Sequence, residues 1–289
     1  MYKVDNAVIM AAGTSSRFAP ISYEIPKGLI NVRGEVLIER QIEQLQEAGI
    51  SDIMLVVGYK KEKFEYLKEK YGVKLIANND YKIRNNNSSI YAVRNMLKNT
   101  YICSSDNYFT INPFESVVDD SYYAALYADG ETEEWCMEQD ENGYITKVSV
   151  GGKNAWYMLG HTFWSEDFSS RFVEILEAIY NKEETRNLLW ESIFISHLDE
   201  LRMKVRKYRN DDIFEFDSLD ELRLFDNDYI ENTHSKILKS ISEELKCKEK
   251  DLINIRAYKN SSNEAVGFIF DAFSNRYKYI YNNKTLRKI

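Results

Sequence analysis

The chain has little of what staples or punctuates a fold. It carries three cysteines in 289 residues, Cys103, Cys136 and Cys247. An odd, scattered set excludes a disulfide framework or a zinc-ligand array and suits reduced thiols in the cytoplasm. Three prolines leave no obvious hinge or linker. Glycine is sparse, and neither a GxGxxG dinucleotide fingerprint nor a GxxxxGK[ST] phosphate loop occurs, which disfavours a dinucleotide enzyme and a P-loop NTPase. No apolar run reaches the roughly 18–20 residues that span a bilayer, so no membrane insertion is expected. The first residues, MYKVDNAVIMAAG, read as an opening strand and not as a secretory leader. Positive charge is in deficit: 38 Lys and Arg against 46 Asp and Glu give a formal net charge of −8. That excludes the broad basic field of a nucleic-acid protein, yet permits a local cationic pocket for a small anion.

What is present is an ordinary core composition, 44% hydrophobic, with a high tyrosine count of 21. Apolar segments alternate with helical patterns. NAVIM at 6–10 reads as a strand, and Ile38, Ile42 and Leu45 mark a helix that Gly49 stops. DIMLVVGY is a continuous apolar run, suited to a parallel strand buried on both faces. A helix through Phe64 and Leu67, the strand VKLIA, a helix through Ile90 and Val93, and the strand YICSSD follow. This order predicts an α/β fold with a doubly wound, mostly parallel, Rossmann-like sheet, whose ligands bind at the carboxyl edge. The middle of the chain reads as four strands around an ENG turn at 141–143, then helices. The tail reads as one helix and three short strands. Two parts are expected: residues 1–228 as the main domain, and 229–289 as a small α+β extension.

The segment AAGTSSRFAPISYEIPKGL follows the first strand. Ala11, Ala12, Gly13, Thr14, Ser15 and Ser16 are small and let backbone amides approach phosphate; Arg17 and Lys27 supply two cations ten positions apart. The pattern resembles the signature loop of the nucleotidyltransferase superfamily, roughly AAGxGxRxxPxTxxxPK. It departs at Ser15, where glycine is usual, and at Ser22, where threonine is usual; both replacements are small. The resemblance implies a transfer of a nucleoside monophosphate to a phosphorylated acceptor with release of pyrophosphate. It assigns Arg17 to the β- and γ-phosphates, and Lys27 to the α-phosphate and the incoming phosphate. It implies Mg2+ as cofactor, with Asp106 of SSDN as one ligand. Glu215 and Asp217 of FEFDSLDEL, alternating along an expected strand, complete the expected ligands. Asn85, Asn86 and Ser89 of NNNSSIY stand where the family frames base and ribose, although helix capping explains them too.

Over residues 1–225 the order of segments resembles the bacterial CTP:phosphocholine cytidylyltransferases. NNNSSIYAV, SSDNYF, TEEWCM, HTFW, LLWESI and FEFDSLDEL carry the likeness. The implied substrates are CTP and phosphocholine, and the implied product is CDP-choline, formed by direct in-line attack. A trimethylammonium group donates no conventional N–H hydrogen bond and is best held by ring faces beside a carboxylate. Trp135 with Glu134, and Trp190 with Glu191, are indole-plus-acid pairs of that kind. A sugar 1-phosphate or an aminoalkyl phosphonate as acceptor stays open, as does a non-catalytic nucleotide-binding scaffold. The tail, through INIRAYKNSSNEAVGFIFDAF, resembles the start of a choline-kinase amino-terminal lobe without its glycine-rich turn. Its alternative is an unrelated extension that packs on the transferase or joins two copies as a homodimer.

Overall fold

The computed structural model describes residues 1–289. Contacts divide the chain into two units, Met1–Gly13 with Ile38–Glu215, and Thr14–Leu37 with Phe216–Ile289. The expected boundary at 228/229 is therefore not where the chain divides. The signature segment from Thr14 onward groups with the extension.

The first unit is built on a seven-stranded sheet. Strands β1 (Asn6–Ala11), β2 (Ile53–Val57), β3 (Lys74–Ala77) and β4 (Thr100–Ser104) are parallel, in the order β4-β1-β2-β3. All five residues of β2 are buried, as a strand covered on both faces requires. Helices α1 (Leu37–Glu47), α2 (Tyr66–Tyr71) and α3 (Asn87–Val93) follow β1, β2 and β3. Ile38, Ile42 and Leu45 of α1 are fully buried, and Gly49 past its end has φ +82°, the left-handed conformation that stops a helix cheaply. A short strand β5 (Asn107–Phe109) leaves the end of β4.

Where four middle strands are expected, two long ones form: β6 (Tyr122–Gln139) and β7 (Ile145–Trp164). They pair as an antiparallel hairpin closed at Asp140–Tyr144, whose Asp140 carboxylate accepts from the amides of Asn142 and Tyr144. Register shifts occur between Ala128 and Glu131 and between Thr132 and Trp135, and Gly130 and Gly151 sit near them at φ +102° and +76°. These bulges let polar residues interrupt the apolar alternation without ending the pairing. Strand β8 (Lys204–Lys207) adds parallel to β6, giving the order β8-β6-β7-β4-β1-β2-β3. Strand β9 (Ile213–Glu215) pairs antiparallel with β5. Helix α4 (Glu166–Ile179) is capped by Ser165, whose hydroxyl accepts from the Phe168 amide, and α5 (Trp190–Ile195) follows. His161 lies fully buried, with Nε2 2.8 Å from the Tyr122 hydroxyl; burial holds its pKa down at about 3, so it is a neutral core residue.

In the second unit, helix α6 (Leu219–Phe225) is capped by Ser218, and α7 (Lys236–Leu245) by Ser235. The tail contains four strands instead of three: β10 (Ile253–Lys259), β11 (Ala265–Ala272), β12 (Asn275–Ile280) and β13 (Thr285–Lys288), an antiparallel meander in chain order. Gly267 is obligatory there, because a Cβ would stand 2.0 Å from the Tyr279 carbonyl oxygen. No helix is long and apolar enough to cross a membrane.

Candidate active site

The signature loop starts where β1 ends at Ala11. The Ala12 carbonyl accepts from the Tyr59 amide at 3.0 Å, which ties the loop to the turn after β2. Gly58 permits this approach: a Cβ there would come within 2.7 Å of the Tyr81 ring and 3.0 Å of the Ala12 oxygen. Gly13 is different. Its φ is ordinary, and a Cβ would meet nothing within 4 Å. Neither packing nor conformation asks for glycine at that position.

Thr14, Ser15 and Ser16 lead into a single 3₁₀ turn, Ser16–Phe18. Ser15 adopts φ 46°, ψ 45°, the left-handed region. The serine-for-glycine departure therefore carries a conformational cost of about 1–2 kcal/mol. Part of that is returned because glycine is more flexible in the unfolded chain. Ser15→Gly should accordingly hold or raise the thermal midpoint, whereas Ser15→Val should lower it by several degrees; scanning calorimetry on both variants decides. A Ser15→Gly variant that melted well below the parent would contradict this assignment.

Within the second unit the two cations converge on one carboxylate. Arg17 Nη1 is 2.7 Å from Asp217 Oδ2, and Lys27 Nζ is 3.7 Å from Asp217 Oδ1. Lys27 is only 5% exposed and stands 5.9 Å from the centre of the Phe18 ring, whereas Arg17 is 77% exposed. Arg17 is thus a solvated reaching cation, and Lys27 an embedded one. Asp217 is not on a strand, because β9 ends at Glu215. It does not share a face with Glu215 as expected; the chain turns towards α6 and turns the Asp217 carboxylate to the cations.

Within the first unit Asp106 directly precedes β5, and Glu215 pairs in register with Asn107. Asn107 Nδ2 donates to Glu215 Oε2 at 3.1 Å. Asp106 and Glu215 are thereby brought to neighbouring positions at the end of the sheet. The structure gathers no group of three or more His, Cys, Asp or Glu side chains suited to a metal. Two carboxylates suit Mg2+, which takes one or two from a protein and fills its octahedron with substrate phosphates and water.

The NNNSS segment packs against residues 185–191. Asn86 Oδ1 accepts from the Trp190 amide at 2.7 Å, and Asn86 Nδ2 donates to Glu191 Oε2 at 3.0 Å. Asn85 Nδ2 donates to the Asn187 carbonyl, Asn87 Nδ2 to the carbonyls of Thr185 and Leu188, and Ser89 Oγ accepts from buried Asn78. The side-chain amide of Asn86 is thus committed to positioning the start of α5, and Ser89 lies inside α3 instead of capping it. Burial pushes the Glu191 carboxyl up to about 7, against the hydrogen bonds from Asn86 and the Tyr123 hydroxyl. Tyr123 also feels the charge of Glu215, so the phenol links the two carboxylate regions. Sequence reading overlooks Tyr123, which looks like one more apolar residue in YYAALYA.

Trp190 does not present an open ring. It is 1% exposed, stacked on Tyr123 with ring centres 5.8 Å apart, and packed edgewise against Trp164 and Phe172. The expected cage ring is a core residue that backs Glu191. Trp135 is half-buried on β6, packed against the same cluster, with Glu134 exposed beside it. Trp156 on β7 carries the Lys207 ammonium 5.1 Å from its ring centre, so this hairpin already seats one cation on an indole face.

The MobA-like NTP transferase domain matches residues 7–131. The choline-phosphate cytidylyltransferase of Streptococcus pneumoniae is 36% identical over 217 residues, covering 75% of this chain and 95% of that protein. The chain belongs to the cytidylyltransferase family of nucleotidyltransferases. The 2-aminoethylphosphonate cytidylyltransferase of Lancefieldella rimae is 35% identical, covering 78% of this chain and 93% of that one. The solved CTP:phosphocholine cytidylyltransferase from Streptococcus pneumoniae superposes with a TM-score of 0.74 at 35% identity, over 77% of this chain and 97% of its own. The doubly wound fold and the nucleotidyltransferase reading of the signature loop both hold for this cytidylyltransferase, and about a quarter of its length has no counterpart in these relatives.

Proposed function

We propose that this cytidylyltransferase moves CMP from CTP to phosphocholine, giving CDP-choline and pyrophosphate. An oxygen of the acceptor phosphate bonds to the α-phosphorus as the bond to the β-phosphate oxygen breaks, and pyrophosphate leaves with the electron pair. No serine, cysteine or histidine is set up as a nucleophile, so the attack is direct. Catalysis then consists of positioning and charge stabilisation. Lys27, embedded and little hydrated, meets the charge developing at the α-phosphate; Arg17 holds the outer phosphates. Asp106 and Glu215 would hold Mg2+, which supplies charge neutralisation to the triphosphate when bound.

The observation that carries the acceptor assignment is Glu191, a carboxylate set between Asn86 and Tyr123 and backed by the aromatic rings around Trp190. That surrounding favours a bulky organic cation over a polyhydroxylated sugar. The Lancefieldella rimae relative favours a second reading, transfer to an aminoalkyl phosphonate. Pyrophosphate release measured across four nucleotides with phosphocholine, phosphoethanolamine, 2-aminoethylphosphonate and glucose 1-phosphate separates them. CTP with phosphocholine should be fastest; faster turnover of 2-aminoethylphosphonate would replace this reading by the second. Trp135→Ala should raise the phosphocholine KM by about tenfold, matching the loss of one well-placed cation–π contact, with the CTP KM little changed. Equal effects on both substrates would remove Trp135 from the acceptor site.

A further inference from the structure

The extension is packed on the signature segment itself. Tyr23 stacks on Tyr281, just past the end of β12, ring centres 3.7 Å apart and planes 7° from parallel. Glu24 Oε1 accepts from the amides of Lys236 and Ile237 at 2.9 and 3.3 Å, so a carboxylate between Arg17 and Lys27 caps the first turn of α7. The Tyr229 hydroxyl donates to the Asn31 carbonyl at 2.6 Å. Strand β10 lies beside the 3₁₀ turn that carries Arg17. The segment that holds the two cations has only short turns for structure, and its geometry is set by what it leans on.

We infer that the extension is a brace for the nucleotide-binding segment, and that Tyr23, Glu24 and Tyr281 are positioning residues for Arg17 and Lys27. The inference rests on the proposed nucleotidyl transfer. It deepens that reading by making CTP affinity depend on residues near the end of the chain. Nothing in the brace addresses the acceptor. Loosening it therefore costs nucleotide binding and rate selectively, since even a displacement of about 1 Å at a charged clamp lowers turnover strongly.

The test uses the full-length protein. Tyr281→Ala should raise the CTP KM by about tenfold and leave the phosphocholine KM within about twofold. Tyr281→Phe, which keeps the stacked ring, should behave as the parent. Hydrogen–deuterium exchange should speed up across residues 14–30 in Tyr281→Ala and stay unchanged in β1 and β2. Because Tyr281 also packs against Phe268 and Tyr279, Tyr23→Ala repeats the test from the exposed side of the stack. Folded variants with unaltered exchange at 14–30 and an unaltered CTP KM would overturn the brace, as would equal losses for both substrates. Calorimetry with CTP alone separates the two levels. A parent protein that binds no CTP overturns the transfer reading and the brace with it. A parent and Tyr23→Ala that bind CTP equally overturn the brace alone.

Discussion

Lys27→Met should lower kcat/KM by about 10²–10³, the loss typical of removing one preorganised charge from a developing anion. The protein should keep its thermal midpoint within a few degrees, because Met nearly fills the space and the carboxylate it abandons, Asp217, is more than a third exposed and still paired with Arg17. Arg17→Met should cost less, since its side chain lies mostly in water, where a charge is screened. Steady-state kinetics with saturating acceptor measure both. A Lys27→Met enzyme within tenfold of the parent would remove the residue from the reaction centre.

The second large effect concerns pH. Burial first, opposed by hydrogen bonds from Asn86 and Tyr123, brings the Glu191 carboxyl to about 7 from an ordinary 4.5. Below that value it is neutral and attracts a cationic head group weakly. The phosphocholine KM should therefore fall as pH rises through about 7 and level off above it. The acceptor phosphate also titrates near 6, which alone would give a slope. Glu191→Gln separates the two: the phosphate contribution stays, and the remaining part of the slope disappears, with a KM raised about tenfold or more at pH 8. The linked effect on folding has the opposite sense. A carboxyl raised in the folded state binds more protons than the unfolded chain between 4.5 and about 7, so its contribution to stability is greatest at the acid end and is lost as pH rises across that window. The Gln variant should flatten that decline. Identical pH profiles for parent and variant would show that Glu191 does not meet the acceptor.

Much of the fold was readable because β1 to β4 and their helices use simple periodic signals. The fully buried run in β2 and the Ile38, Ile42, Leu45 stripe carry the β-α order by themselves. The hairpin of β6 and β7 was not readable in full, since polar residues at its bulges mimic strand ends. Site residues separated by the same logic. Arg17 and Lys27 sit in a contiguous pattern that a sequence displays directly. The fate of Trp190 depended on three rings from distant segments, and that of Asp217 on where β9 stops. Ser15 looked like a harmless exchange of one small residue for another; only its backbone angle reveals the cost. The affiliation of the signature segment with the tail had no local signal, because Tyr23, Glu24 and Tyr281 are ordinary surface letters until they meet.

The interleaving of the two units bears on how the protein is made. Thr14–Leu37 is synthesised before the rest of its own unit, which resumes at Phe216 after the roughly 180 residues of Ile38–Glu215. At about 5–20 residues per second the wait is on the order of 10–35 seconds. Throughout it Phe18, Ile21, Leu29 and Ile30, all buried in the finished molecule, have only part of their covering. The nascent polypeptide thus carries a partly uncovered apolar stretch while the intervening residues are being made, a natural client site for a holding chaperone.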